Sequence, residues 1–209
     1  MSPPHHGERT LVMKRMLWFV PSLVLLCAGW FFVTNSRAAT ETAPFKLLQQ
    51  EKDFELREYE TLHLAKVSLP STDKRSKNMD GSFMKLFRFI DGGNERGEKI
   101  AMTTPVIVQR GEKESSMSFV MPKASVAKGL PVPKGEVKLD QIQAVKVIAI
   151  RFSGVSKEAL ELEKLSALRA WAKAKSIETE GEPFFAYYDP PWTLGFMRRN
   201  EVLLRVKEK

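Results

Sequence analysis

The hydrophobic pattern changes character near residue 40. Before it, residues 16–33 form an unbroken apolar run, MLWFVPSLVLLCAGWFFV, with Lys14 and Arg15 in front and Thr34-Asn35-Ser36-Arg37 behind. A basic segment, an apolar stretch and a small-residue site at Ser36-Arg37-Ala38 describe a secretory signal. Eighteen residues is also the lower limit of a membrane-spanning helix. Both readings stand. Residues 1–38 are a signal peptide or an N-terminal membrane anchor, and residues 39–43 are a linker. Either way Lys14 and Arg15 stay cytoplasmic and the rest is exported, to the periplasm or to the inner membrane facing it. Met13 opens a signal of its own, so the start is Met1 or Met13. Cys27 reads as apolar filling of the run.

From residue 45 onward apolar and polar positions interleave. Residues 45–52 and 54–59 predict strands, the second with apolar and charged positions alternating as on a half-buried strand. The alternation resumes at Leu62, Leu64, Val67 and Leu69 until Pro70. Met79, Phe83, Leu86, Phe87 and Ile90 then recur at helical spacing, and Gly92-Gly93-Asn94 supplies the residues that end a helix. Residues 99–110 predict a strand with Pro105 at an edge or bulge, and Met117, Phe119 and Met121 another. The turn-rich stretch 130–135 separates two halves. Beyond it, residues 137–142 and 144–152 predict strands. Ser156 is a fitting N-cap for a helix over 157–175, rich in Ala, Leu, Glu and Lys, with an apolar stripe at Leu162, Leu165, Leu168 and Trp171. Gly181 and Pro183 follow that helix. Residues 184–188 and 198–206 predict the last strands. Each half, about 44–123 and 137–207, reads strand–helix–strand–strand, which suggests a duplication of 80–90 residues. The expected class is α+β, an antiparallel-rich sheet or distorted barrel with two helices on one face.

Composition narrows the functional classes. The 209 residues are 43% apolar and 28% charged, ordinary for a globular chain. One cysteine and three histidines leave no internal disulfide and no cysteine–histidine zinc site. The first 38 residues hold four of the 33 Lys and Arg and one of the 25 Asp and Glu, so the remainder carries a net charge of +5. That charge is mild and of mixed sign, with no dense basic stripe or recognition motif, and argues against nucleic acid as a partner.

No catalytic motif is present: no G-x-S-x-G, phosphate-binding loop, HExxH or CxxC. Catalytic residues are therefore assigned to none. After residue 38 one histidine remains, His63. It is either a haem-iron ligand or a surface residue with a hydrogen-bond partner. The methionines Met79, Met84, Met102, Met117, Met121 and Met197 suit either a core or an adaptable binding surface. Strand alternation allows at most two of Phe184, Phe185, Tyr187 and Tyr188 to share a face. Arg88, Lys85 and Lys99 could meet acidic groups at a pocket rim.

Taken together, Arg57-Glu58-Tyr59, the stretch FIDGGN at 89–94, KIAMTTPV at 99–106, and Tyr188-Asp-Pro-Pro191 followed by Arg198-Arg-Asn-Glu-Val202 resemble the SOUL haem-binding family, over about residues 44–207. The resemblance implies a duplicated β-α-β-β fold, two helices on a distorted β-barrel, related to bacterial effector-binding domains. It implies non-covalent binding of haem or another tetrapyrrole in an apolar groove beside the first helix. The residues it points to are Phe83, Met84, Phe87, Arg88, Met102 and Tyr188. Some members carry a histidine proposed as axial ligand in the Arg-x-Tyr strand, where this chain has Glu58. His63, five residues on, is not equivalent, so an iron–histidine bond is not expected and no metal site is assigned. The Arg198–Glu201 motif reads as pinning the Asp-Pro-Pro loop or as binding ligand. The alternatives to a tetrapyrrole module are a general effector-sensing domain and a hydrolase on the same fold.

Overall fold

The computed structural model describes residues 40–69, 75–111 and 114–208, leaving aside the side chains of 75–80. The apolar run of residues 16–33, the choice of start, and the Met79 side chain lie outside the described residues. Among those residues no helix is long and apolar enough to cross a membrane. Among the described residues, eleven strands, three helices and one 3₁₀ turn follow one another in chain order. They are β1 (Glu41–Thr42), β2 (Phe45–Glu51), β3 (Phe54–Tyr59), β4 (Leu62–Leu69), α1 (Arg75–Ile90), β5 (Thr103–Thr104) and β6 (Val106–Arg110). After these come β7 (Ser115–Val120), α2 (Lys123–Ala127), β8 (Lys138–Ile142), β9 (Val145–Ser153), α3 (Glu158–Ala174), β10 (Thr179–Tyr187), the 3₁₀ turn Gly195–Met197 and β11 (Arg199–Val206).

Nine strands form one antiparallel sheet in the order β2-β3-β9-β11-β10-β6-β7-β4-β8. The sheet is not closed, which corrects the expected barrel: its end strands are β2 and β8. The register shows why. Phe54 pairs with Ile150, Tyr59 with Val145, Leu62 with Ile142 and Lys66 with Lys138. Every step forward on the 54–66 segment is a step back on the 138–150 segment, so the same two segments pair at both ends of the sheet. They pass from one end to the other at residues 60–61 and 143–144. Chain continuity, not a hydrogen-bonded ladder, bridges that gap. Strands far apart in the chain thereby pair: β3 with β9 and β4 with β8.

Both long helices lie on one face, as expected, over a core of Val67, Val108, Met117, Phe119, Ile148, Val202 and Leu204. The helix α1 buries Ser82, Leu86, Phe89 and Ile90; Leu86 and Ile90 of the predicted stripe face the core, Phe83 packs partly against it and Phe87 turns outward. It ends as expected, with Gly92 at φ 99° and the Gly93 N–H donating to Arg88 O at 2.7 Å. A Cβ on Gly93 would sit 2.6 Å from Arg88 O. Buried Asn94 locks the turn by donating from Nδ2 to the carbonyls of Phe89 and Glu98 and accepting two backbone N–H groups at Oδ1.

Three local expectations are revised. The α3 N-cap is Lys157, with no side-chain cap, and the Ser156 hydroxyl instead donates to Glu161 at 2.6 Å. The inward face of α3 is Glu161, Leu165, Leu168, Trp171 and Ala172. A repeat of three drifts about 60° per step against 100° per residue, so Leu162 turns outward and Glu161 takes the inner position. Gly181 and Pro183 lie within β10, at the irregularity between Glu180 and Phe184, rather than before the strand.

Candidate functional site

The motif residues converge on the sheet face opposite the helices. Strand alternation turns Glu55, Arg57 and Tyr59 of β3, Arg151 of β9, and Arg199 and Glu201 of β11 to that face, with Tyr188 just beyond β10. Arg57 and Glu201 are each 0% exposed. Arg57 forms a two-pronged pair with Glu201 at 2.6 and 3.0 Å and donates from Nε to Glu55 at 2.7 Å. Glu201 also accepts from Arg199 at 2.6 and 3.1 Å and from the Tyr188 hydroxyl at 2.9 Å. Arg57 stacks over Phe45 and Arg199 over Tyr188, at 4.3 and 4.0 Å from the ring centroids. Burial opposes the charged form of Glu201, but the hydrogen bonds and charge of Arg57, with Arg199, outweigh it and hold the carboxyl below its ordinary value. Burial, with the Glu201 charge, pushes the Tyr188 hydroxyl well up. Three arginines against two glutamates leave the cluster with one excess positive charge.

The Arg57, Tyr188 and Glu201 motifs, far apart in sequence, thus form one buried ion-pair network. Arg198 pins the Asp-Pro-Pro loop: its Nε donates to Thr193 O at 2.8 Å and its Nη2 to Pro191 O. The Asp189 carboxylate accepts the Arg199 N–H at 2.6 Å.

Beside the network on this face is a shallow apolar groove. Tyr59, Leu62, Ile107, Val147, Phe184 and Tyr188 line it, with Arg205 at its side.

The residues expected beside the first helix divide between two faces. Met84, Phe87 and Arg88 are exposed on α1, whereas Phe83 and Met102 pack partly against the core. Tyr188 does not join them: alternation puts it on the opposite face, in the network and groove. Phe83 is half-buried, stacked on Phe87 at 6.2 Å and edge-on to Phe119 at 5.2 Å. Phe87 remains 38% and Met84 42% exposed. Lys85 pairs with Glu136 and Lys99 with Asp91, whereas Arg88 makes no ion pair among the described residues. His63 is half-buried at the start of β4, its Nδ1 3.2 Å from Gln141 Nε2. Glu58 lies on the neighbouring strand β3. Among the described residues no cluster of three His, Cys, Asp or Glu could hold a metal ion. The α1 surface nevertheless fits a porphyrin: flat stacked aromatics, an adaptable thioether and a cation at the edge, without an axial imidazole.

A second buried cluster escaped the sequence reading. Tyr187 and Tyr188 point to opposite faces, and each finds a glutamate. The Tyr187 hydroxyl donates to Glu161 at 2.7 Å, and Arg110 donates to Glu161 at 2.5 Å and to the Tyr187 oxygen at 3.0 Å. Despite burial, Ser156, Tyr187 and Arg110 keep the Glu161 carboxyl low. The available signal was positional: Glu161 lies four residues before Leu165, on the helix face that must turn inward.

Comparison with known proteins places this geometry. Residues 40–205 match the family model of the SOUL heme-binding protein. Heme-binding protein 1 of Sus scrofa is 27% identical over 179 residues, covering 79% of this chain and 93% of that protein. The Mus musculus protein of the same name is 27% identical over 180 residues, with the same coverage. Among solved structures, the EcmrR C-terminal domain superposes with a TM-score of 0.58 at 10% identity, covering 75% of this chain and 98% of that one. A protein described as a hydrolase from Listeria innocua superposes at 0.51 with 9% identity, covering 77% and 94%. At such identities these structures speak for the fold alone.

Proposed function

The chain belongs to the SOUL heme-binding protein family, and on that premise we propose that it binds haem or a related tetrapyrrole non-covalently on the outer surface of α1. One observation carries the reading: Phe87 and Met84 stand exposed on a helix whose core-facing positions are already filled, next to a cation with no ion-pair partner among the described residues. A macrocycle would lie against Phe87, Phe83 and Met84, and Arg88, one turn from Met84, would face a propionate. Glu58 offers iron no imidazole, and His63 lies on β4 opposite Gln141 of β8 rather than on α1. Affinity therefore comes from apolar contact and charge, and iron-free porphyrin binds about as well as haem. The protein acts as a binding module without a bond-making step, exported and facing the periplasm.

A second reading rests on the apolar groove of the opposite face, as a site for a small effector. The excess positive charge of the neighbouring network disfavours a lipophilic cation there and favours a neutral or anionic apolar molecule.

The test is a haem titration of the full chain in detergent, followed by Soret absorbance, with Phe87→Ala, Arg88→Ala, His63→Ala and Ile107→Trp beside it. The α1 reading expects saturable binding weakened about tenfold, or ~1.4 kcal/mol, by Phe87→Ala. Arg88→Ala should weaken haem but not a porphyrin lacking carboxylates, and His63→Ala should change nothing. Loss in Ile107→Trp with Phe87→Ala intact would move the site to the groove. Loss of the Soret shift in His63→Ala would make that imidazole the iron ligand.

A further inference from the structure

Residues 190–197, between β10 and β11, serve neither the ion-pair network nor the candidate haem surface, yet they carry the most exposed aromatics of the described residues. Residues 190–197 read PPWTLGFM and contain no charge. Trp192 is 79%, Phe196 71% and Leu194 57% exposed. Val155, 49% exposed, adjoins them, because a Cβ on Gly195 would meet Val155 Cγ2 at 2.9 Å. The result is one continuous apolar tip rather than scattered side chains.

The tip is braced. Thr193 is buried, and its N–H donates to Pro190 O at 3.0 Å. The Met197 N–H donates to Leu194 O at 2.9 Å and the Arg198 N–H to Gly195 O at 3.1 Å. The Arg198 guanidinium holds the carbonyls of Thr193 and Pro191. These bonds fix the backbone so that Trp192, Leu194 and Phe196 face outward, at no further cost in ordering when they meet a partner.

Chain geometry says what that partner is. The N-terminal strand β1 pairs with β5, and the Ala43 N–H donates to Thr104 O at 2.9 Å. Two residues on, Val106 pairs with Tyr187, from which the loop departs. The chain thus joins the folded body close to the base of the tip. Only residues 34–39 separate that junction from the uncharged run 16–33, a reach of roughly 20 Å when fully extended. Trp, Phe and Leu on an uncharged surface flanked by Arg198, Arg199 and Lys157 have the composition that settles at a bilayer interface.

We propose that the Trp192–Leu194–Phe196 tip docks the folded body on a lipid surface, an inference that rests on reading residues 16–33 as a membrane anchor.

The test uses the full chain with Cys27→Ser, reconstituted in phosphatidylethanolamine–phosphatidylglycerol vesicles. Single cysteines, Phe196→Cys, Leu194→Cys or the distant exposed Val132→Cys, carry an environment-sensitive fluorophore. Blue-shifted emission at 194 and 196, quenched by brominated acyl chains, with 132 remaining aqueous, is the expected result. Emission at 194 and 196 as aqueous as at 132 overturns the proposal. A blue shift that vanishes on dilution of protein in lipid assigns the tip to a second copy of the chain and overturns it equally. None of these readouts depends on haem.

Discussion

Replacing Arg57 by Met is the sharpest test of the buried network. The side chain is fully buried and makes three charged hydrogen bonds, two to Glu201 and one to Glu55, with a further contact to Tyr59 at 3.3 Å. Methionine keeps most of the volume but no donor. Glu201 would retain Arg199 and Tyr188, while Glu55 would retain only Arg151 at 3.2 Å. Two buried carboxylates would then lack the cation that offsets their desolvation. Removing one partner of a buried ion pair costs about 3–5 kcal/mol, and at about 2–4 °C per kcal/mol for a chain of this size the midpoint falls by roughly 6–20 °C. Thermal unfolding followed by far-ultraviolet circular dichroism measures this. The double substitution Arg57→Met with Glu201→Leu should recover part of the loss, because it removes a stranded charge along with its partner. A loss below about 1 kcal/mol, the scale of a solvent-exposed pair, or strictly additive single and double losses, would refute the reasoning.

Two further outcomes follow from the same geometry. Glu201 and Glu161 are both held below their ordinary value, against their burial, by arginine and hydroxyl partners. Below about pH 4.3 the unfolded state binds more protons than the native state, so their contribution is complete above that pH and is lost as pH falls through the lowered native values. Acid melts of the wild type should therefore steepen below about pH 4 and flatten in Glu201→Gln. Gly93→Ala should destabilise by about 1–3 kcal/mol in urea titration, because its Cβ would press on Arg88 O at 2.6 Å, whereas Gly81→Ala, with nothing within 4 Å, should not.

Much of the fold was legible because it rests on short-range rules. Period-two alternation located β3, β4, β7 and β9, and the Gly-Gly-Asn ending of α1 was readable from backbone requirements alone. The α+β class followed from the order of elements. Registers and rotations were not legible. The three-residue stripe on α3 pointed to Leu162, yet packing of a 3.6-residue helix turned Glu161 inward, because only the helix phase against the sheet decides which side is buried. The choice between barrel and open sheet likewise depended on two segments pairing at both ends, which local pattern does not encode.

The candidate site divides along the same line. The family resemblance pointed to Phe83, Met84, Phe87 and Arg88 on α1, where Met84 and Phe87 stand exposed and Phe83 is half-buried against the core. Tyr188 was grouped with them by the motif resemblance, but strand alternation sends it through the sheet to Glu201. The motifs themselves were visible as words in the sequence. That Arg57, Tyr188 and Glu201 are partners in one buried network required the β3–β9–β11 register. Local chemistry is set by neighbours a few residues apart. Compensation of a buried charge needs a partner that may be 144 residues away, as Glu201 is from Arg57, and only the folded chain brings it within 3 Å.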